Sequence, residues 1–221
     1  MIIAATEALS RLRRLGKPLV STAEASMHLG QTRSAASRAL ARLAKVGLVR
    51  HLRHGLWSLE PDVDPLVLPE YLTAPLPAYV SFQSALRIHG MISQIPYVVY
   101  VASLTPTRKV TTSVGTYSIH RLAPSFFGGF DTTEKGVRIA RPEKALLDTL
   151  YLTPARSRLF AHLPEVEIPA SFDEQEAYRW LTKVSLGPRR LAMEQRLSAI
   201  LGSSHNRGHS ASLPTLRSQR H

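Results

Sequence analysis

The segment from Thr32 to Gly47 constrains the fold of this chain more than any other, because its apolar and basic residues separate at helical spacing. Thr32 is of a residue type that caps helix N-termini, and Gly47 is placed to end the helix with a left-handed backbone. The predicted helix runs to Val46, and its buried face comprises Ala36, Ala39, Leu40, Leu43 and Val46. The other face carries Ser34, Arg38, Arg42 and Lys45, flanked by Arg33 and Ser37. Such a helix packs one side on a core and presents a basic side to solvent or to an anion.

The residues around this helix predict a small unit over residues 1–60. In chain order it comprises a helix over 2–15, a helix capped by Ser21 or Thr22 and reaching Leu29, a turn at Gly30 and Gln31, the basic helix, and strands over 48–52 and 56–59. This order is typical of a winged helix-turn-helix, whose third helix enters the major groove of DNA. The two strands would form its wing.

The positive charge of the chain is concentrated in the same unit. The formal net charge is +12, and residues 1–60 contain ten Lys and Arg against three Asp and Glu. Lys and Arg nearly balance Asp and Glu over 61–201, so the basic field is an N-terminal property, as expected of a nucleic-acid-binding domain. A basic helix taken alone is usually only a solvated face, and winged helices also bind proteins. The agreement of turn, cap, basic helix and basic wing favours DNA.

We therefore predict a DNA-binding surface built from the turn, the third helix and the wing. The side chains expected to read bases are Arg33, Ser34, Arg38 and Arg42. The helix N-terminus at Thr32 and the wing are expected to anchor phosphates. The complete predicted set is Gln31, Thr32, Arg33, Ser34, Ser37, Arg38, Arg42, Lys45, Arg50, Arg53 and His54.

Composition divides the rest of the chain into three parts. Five prolines over 61–77 predict a semi-rigid linker. Residues 78–201 predict a mixed α/β domain with a small sheet and flanking helices, and the Ser-, His- and Arg-rich residues 202–221 predict a disordered basic tail. The predicted elements of the domain are a Ser81-capped helix stopped by Gly90, strands at 97–102 and 136–140, a hairpin around Gly115, and helices at 142–151, 173–185 and 188–201. The predicted fold class is α+β.

Several function classes are disfavoured by the sequence. The chain contains no cysteine, which excludes disulfides and thiolate-ligated metals. No apolar run is long enough to cross a bilayer, and the first residues carry no basic region typical of a secretory signal, so a cytoplasmic location is expected. The residues around Gly128 and Gly129 do not match a phosphate-binding loop, and the histidines do not have the spacing of metal ligands. We expect no enzymatic activity, no metal and no cofactor.

One acidic cluster leaves a metal-dependent nuclease open as an alternative. It comprises Asp131, Glu134, Glu143, Lys144 and Asp148. Lys144 and Asp148 are four residues apart on a predicted helix, which favours a surface ion pair over a catalytic site. Glu143 lies in the first turn of that helix, where a carboxylate is stabilised by the helix dipole.

Three segments of the second domain resemble the AbiEi-type antitoxins of type IV toxin–antitoxin systems. They are Tyr79–Gly90, Thr105–Lys109 and Ala140–Asp148, and the last is the most distinctive. The N-terminal segments Ser21–Ala25 and Ser37–Leu43 fit the DNA-reading domain of that family. The resemblance covers roughly residues 5–200 and leaves the tail outside it.

The resemblance implies an antitoxin that also represses its own operon. Its N-terminal domain would bind inverted repeats in the promoter, as a monomer or weak dimer that binds DNA cooperatively. Its C-terminal domain would counteract a co-encoded nucleotidyltransferase-like toxin, without requiring a stable complex. The basic residues Arg87, Arg108, Lys109 and Arg121 are the candidate antitoxin surface, although a solvated face explains them equally well. The alternative is a winged-helix regulator without a toxin, whose C-terminal domain binds a ligand or dimerises.

Overall fold

The computed structural model describes residues 5–152 and 165–210. Its α-helices are α1 (Ala5–Arg13), α2 (Thr22–Leu29), α3 (Arg33–Lys45), α4 (Leu68–Thr73), α5 (Phe82–Ile88), α6 (Pro142–Leu152), α7 (Glu174–Thr182) and α8 (Pro188–Ser210). Its strands are β1 (Leu19–Ser21), β2 (Arg50–Arg53), β3 (Leu56–Ser58), β4 (Ala78–Val80), β5 (Val99–Ser103), β6 (Arg108–Thr112), β7 (Gly115–Arg121), β8 (Phe130–Thr132) and β9 (Arg138–Ala140). The predicted mixed α+β class is confirmed.

The N-terminal unit consists of α1–α3 and a three-stranded antiparallel sheet in the order β1-β3-β2. Ser21 begins α2 with a capping box, in which its hydroxyl accepts the Glu24 N–H and the Glu24 carboxylate accepts the Ser21 N–H. Strand β1 is missing from the sequence-based prediction. Three residues are too few for an alternating pattern, and β1 depends on pairing with the distant strand β3.

The core of the N-terminal unit contains Leu12, Leu40 and Leu43, all fully buried. The expectation that Val46 joins this core is wrong, because its side chain is 67% exposed. The helix ends at Lys45, and Gly47 adopts a φ of 73°. The N–H groups of Gly47 and Leu48 then bond to the carbonyls of Ala44 and Leu43, which is the Schellman ending. Leu48, rather than Val46, packs against this core.

The second sheet is mixed and six-stranded, in the order β6-β7-β5-β4-β9-β8. Strands β5 and β7 run parallel, as do β4 and β9, while the other neighbours are antiparallel. One face packs against α5 and α6, and α7 and α8 pack on α6 around the same large apolar cluster. The predicted hairpin around Gly115 is confirmed as β6–β7.

The expectation that residues 61–77 form a linker is corrected by the structure. The 3-10 turn Pro65–Val67 and helix α4 occupy much of this segment, and each carries a proline in its first turn, where no backbone N–H is needed. Leu68 and Leu72, one helical turn apart, are buried in a cluster that also contains Leu52 of β2 and Val101 of β5. The segment is therefore packed between the two sheets rather than free.

The predicted boundary of the C-terminal tail also differs from the structure. Helix α8 continues to Ser210 instead of stopping at residue 201, so 202–210 are helical. Leu197 and Leu201, one turn apart, are buried in the large apolar cluster on the second sheet, and no proline follows them in the helix. Residues 211–221 of the predicted tail lie outside the described residues. Over the described ranges, none of the helices combines the length and the apolarity that a bilayer span requires.

Candidate nucleic-acid interface

The approach to α3 has the local geometry that the sequence predicts. Gly30 ends α2 with a φ of 64°, and its N–H and that of Gln31 bond back to carbonyls of α2. Thr32 then caps α3, since its hydroxyl oxygen accepts the Ala35 N–H at 3.2 Å. The turn is thus closed by hydrogen bonds at both sides, and α3 starts at a fixed angle to α2.

The basic face of α3 is exposed and carries no acidic residue. Arg33, Arg38, Arg42 and Lys45 are all exposed. Arg38 donates to the Ser34 hydroxyl at 2.8 Å on the same helix. Within the described ranges, none of the ion pairs involves a residue of α3. Among the residues that the structure describes, these cations therefore have no paired counter-charge, and they present an unneutralised positive surface.

The β2–β3 hairpin places its predicted site residues in two different settings. Arg53 and His54, at the turn, are exposed. Arg50 instead donates to the carbonyl of Ser113, at the tip of the β6–β7 hairpin, over 3.2 Å. Ser113 also bonds through its N–H to the Leu52 carbonyl and through its hydroxyl to the His51 carbonyl, both at 2.8 Å. One edge of the hairpin is therefore attached to the second sheet.

The structure does not gather the predicted antitoxin surface into one patch. Arg108 and Lys109 are successive residues of β6, so their side chains point to opposite faces of the sheet. Arg108 donates to the Leu72 carbonyl at 2.7 Å on the α4 side, whereas Lys109 lines a cleft on the α5 side. Arg121 lies on β7, and Arg87 lies on α5, where it donates to the Ile92 carbonyl. The four positive charges are therefore divided between the two faces.

A fully buried polar network lies beneath the second sheet, and sequence reasoning missed it. Lys144 and Asp148 of α6 form an ion pair with both side chains completely buried, which corrects the predicted surface pair. Tyr79 and Ser81 donate to the same Asp148 oxygen at 2.9 and 2.6 Å, and Lys144 donates to the Tyr79 hydroxyl at 3.0 Å. The charges are thus paired and hydrogen-bonded, as buried charges must be.

The surroundings of this network are aromatic. The Lys144 ammonium lies 3.9 Å from the centre of the Phe126 ring and 5.1 Å from that of Trp180. Burial lowers the pKa of Lys144 and raises the pKa of Asp148 against their mutual attraction. Burial is also the largest cause of the raised pKa of Tyr79, whose hydroxyl faces Asp148. Both carboxylate oxygens of Asp148 accept hydrogen bonds within this core.

The sequence does contain a signal for this network. Helix α6 has apolar residues on every side, which is typical of a helix buried all round. On such a helix a Lys and an Asp four residues apart are buried with it. Tyr79 and Ser81 lie two residues apart on or just after β4, which places both hydroxyls on the face that meets α6.

The acidic cluster of the nuclease alternative is not assembled in the structure. Asp148 is committed to the buried network, and the buried Glu143 accepts the Asp173 N–H at 2.8 Å. Asp131 pairs with Arg141 at the surface. Among the described residues there is no group of three or more His, Asp or Glu that could hold a metal ion.

Comparison of the sequence with protein-family models yields no match, and comparison with curated proteins yields none either. The resemblance to the AbiEi-type antitoxins therefore rests on the motifs alone. Two of those motifs, Tyr79–Gly90 and Ala140–Asp148, contribute all four side chains of the buried network. Their distinctive residue types have a structural explanation in the core.

Proposed function

We propose that this protein is a DNA-binding autorepressor, in which α1–α3 and the β1-β3-β2 sheet act as a winged helix-turn-helix. The observation that carries the proposal is the exposed face of α3, which presents four cations and no acidic residue. DNA offers a dense row of phosphates that such a face complements, and Arg side chains reach base edges in the major groove. The capped turn between α2 and α3 supports the proposal because it fixes the direction of α3.

The side chains on α3 fit two different tasks. Arg38 and Arg42 lie one turn apart on the exposed face, where a recognition helix carries its base-reading groups. The helix N-terminus at Thr32 is suited to phosphates, since it offers unpaired N–H groups. Arg33 beside it is placed to read bases together with Arg38 and Arg42. Arg53 and His54 at the hairpin turn supply further phosphate contacts.

The test is a titration of the protein with its own upstream DNA and with a scrambled duplex, at two salt concentrations. Tight, sequence-selective binding is expected for the wild type. If six phosphates are neutralised, the slope of log K against log salt is about −5. The variant R38A/R42A should lose most of the selectivity.

The matched control is R121A/R196A, which removes the same charge from exposed positions of β7 and α8. It should retain the preference for the operator. Equal binding to both duplexes by the wild type would contradict the autorepressor, and equal losses in both variants would show that only total charge matters.

We further propose that the protein acts as the antitoxin of a type IV system. This part rests on the resemblance of Tyr79–Gly90 and Ala140–Asp148 to the AbiEi-type family. The test is co-expression with a nucleotidyltransferase-like protein encoded beside the gene. Rescue of growth by the wild type and by R38A/R42A alike would separate antitoxin action from DNA binding, whereas no rescue by a folded protein would contradict it.

A further inference from the structure

A cleft in the second unit lies between α5, the 91–98 loop and strands β5–β7. Its volume is about 620 Å³, within the range of small-molecule sites. Its walls are mainly apolar or aromatic and include Ile95, Val98 and Tyr100. Tyr97 and Ile95 at its rim expose 103% and 74% of their surface, although both are large apolar residues. Exposed apolar groups beside a concave surface are typical of a binding site.

Two polar groups in the cleft lack a partner within the described residues. Lys109 is exposed, belongs to none of the ion pairs, and is the sole charged residue among those that line the cleft. The Oε1 atom of Gln83 is buried and accepts no hydrogen bond. A buried acceptor without a donor is costly, so a ligand that donates to it is favoured.

The floor of the cleft adds no second charge. Ser118 lines it, and its hydroxyl bonds to Nε2 of His120 at 2.8 Å. Burial lowers the pKa of His120 to about 4, so the imidazole is neutral at pH 7. A single ammonium group therefore sets the charge that the cleft prefers, and one cation is matched by one carboxylate.

We propose that this cleft binds a small aromatic carboxylic acid that also carries a hydrogen-bond donor. The carboxylate pairs with Lys109, the ring lies against the apolar walls, and the donor satisfies Gln83. The location suggests that the ligand is an effector of DNA binding. Strand β6 carries Lys109 and leads directly to Ser113, which donates hydrogen bonds to the carbonyls of His51 and Leu52 on β2. This last step rests on the proposed DNA-binding function.

Three probes and two variants test the site by calorimetry on the full chain. The probes are 4-hydroxyphenylacetate, its neutral amide, and phenylacetate, which lacks the hydroxyl donor. The acid should bind with a dissociation constant below about 1 mM, in keeping with its size. Its affinity should be about tenfold higher than that of the amide and about fivefold higher than that of phenylacetate.

Each preference should depend on one residue. In K109M the acid and the amide should bind equally, while Q83L should abolish the preference for the hydroxyl. R121M removes a charge from an exposed position of β7 and should change neither preference. Absence of binding by all three probes, or an unchanged preference for the acid in K109M, would overturn the site.

The effector role has a separate readout. Saturation with 4-hydroxyphenylacetate should change the affinity for upstream DNA at least about fivefold in the wild type and not in K109M. Binding of the acid with unchanged DNA affinity would overturn the coupling alone. If the free protein shows no selective DNA binding, the proposed function fails, and the calorimetric preferences still decide the site.

Discussion

Lys144 and Asp148, one turn apart on α6, form an ion pair in which neither side chain has any solvent exposure. Their charges are balanced inside a core of aromatic rings, and the hydroxyls of Tyr79 and Ser81 complete the hydrogen bonds of the carboxylate. A pair in this position contributes little net stability but is very costly to break, because each charge would remain buried without the other.

The substitution K144M should therefore destabilise the protein by about 3–5 kcal/mol. The double variant K144M/D148N should be more stable than K144M, since the amide oxygen still accepts from Tyr79 and Ser81 while the unpaired charge is gone. Urea denaturation of the wild type, both single variants and the double variant measures the coupling. Strict additivity of the two substitutions would show that the pair is not coupled.

Gly129 is expected to tolerate substitution less well than other glycines with a positive φ. Its φ is 72°, and a Cβ there would lie 2.8 Å from Trp180 and 2.9 Å from Cγ of Lys144. Gly136 has a φ of 75° and no atom within 4 Å of a Cβ, so it carries the same backbone cost without the clash. G136A should lower the free energy of unfolding by about 1–2 kcal/mol, and G129A should lower it by about 1–3 kcal/mol more.

Thermal unfolding of the two variants measures this difference directly. Equal losses in G129A and G136A would show that the Trp180 and Lys144 side chains move aside without cost. The comparison also tests the role of the Gly128-Gly129 pair, which the structure assigns to close packing against Trp180.

The sequence predicts the local features of this protein well and the long-range ones poorly. Ser21, one of the two predicted caps, begins α2, and Gly30 and Thr32 form the predicted α2–α3 turn. All three act within a few residues. Strand β1 and the burial of Lys144 depend on residues far away in the chain. The apolar residues all round α6 indicate a buried helix, but no local pattern shows that Tyr79 and Ser81 supply the remaining hydrogen bonds.

The candidate interface likewise has features that the local sequence predicts and features that it does not. The exposure of Arg38 and Arg42 follows from the helical period of α3, and the structure shows it. The contact of Arg50 with Ser113 joins residues on different sheets and has no local signal. The prolines of 61–77 misled the prediction, since Pro65 and Pro69 start short helical elements instead of preventing them.

Buried His120 should make the stability of the protein depend on pH. Burial lowers its pKa to about 4, whereas the unfolded chain titrates near 6.5. As the pH falls below 6.5, the unfolded state takes up the proton first, so stability that is present at pH 7.5 is lost on acidification. On lowering the pH from 7.5 to 5, this group should reduce the free energy of unfolding by about 2 kcal/mol.

The variant H120Q isolates that contribution, because Gln is close in size and keeps a hydrogen-bonding group beside Ser118. In urea denaturation, acidification from pH 7.5 to 5 should lower the free energy of unfolding by about 2 kcal/mol less in H120Q than in the wild type. Identical pH dependence of the two proteins would show that folding does not lower the pKa of His120.

Arg50 and Arg53 should differ in their effect on DNA, although both lie on β2 and both are exposed. Arg53 has no partner within the described residues, whereas Arg50 is held by the Ser113 carbonyl. R53A should weaken binding to specific and scrambled DNA alike and reduce the salt slope by about 1, as the loss of one phosphate contact does. R50A should leave the slope unchanged and lower the free energy of unfolding by at most about 1 kcal/mol. Salt titrations of the two variants beside the wild type decide the matter. A reduced slope in R50A with none in R53A would reverse the proposed assignment of the hairpin surface that contacts DNA.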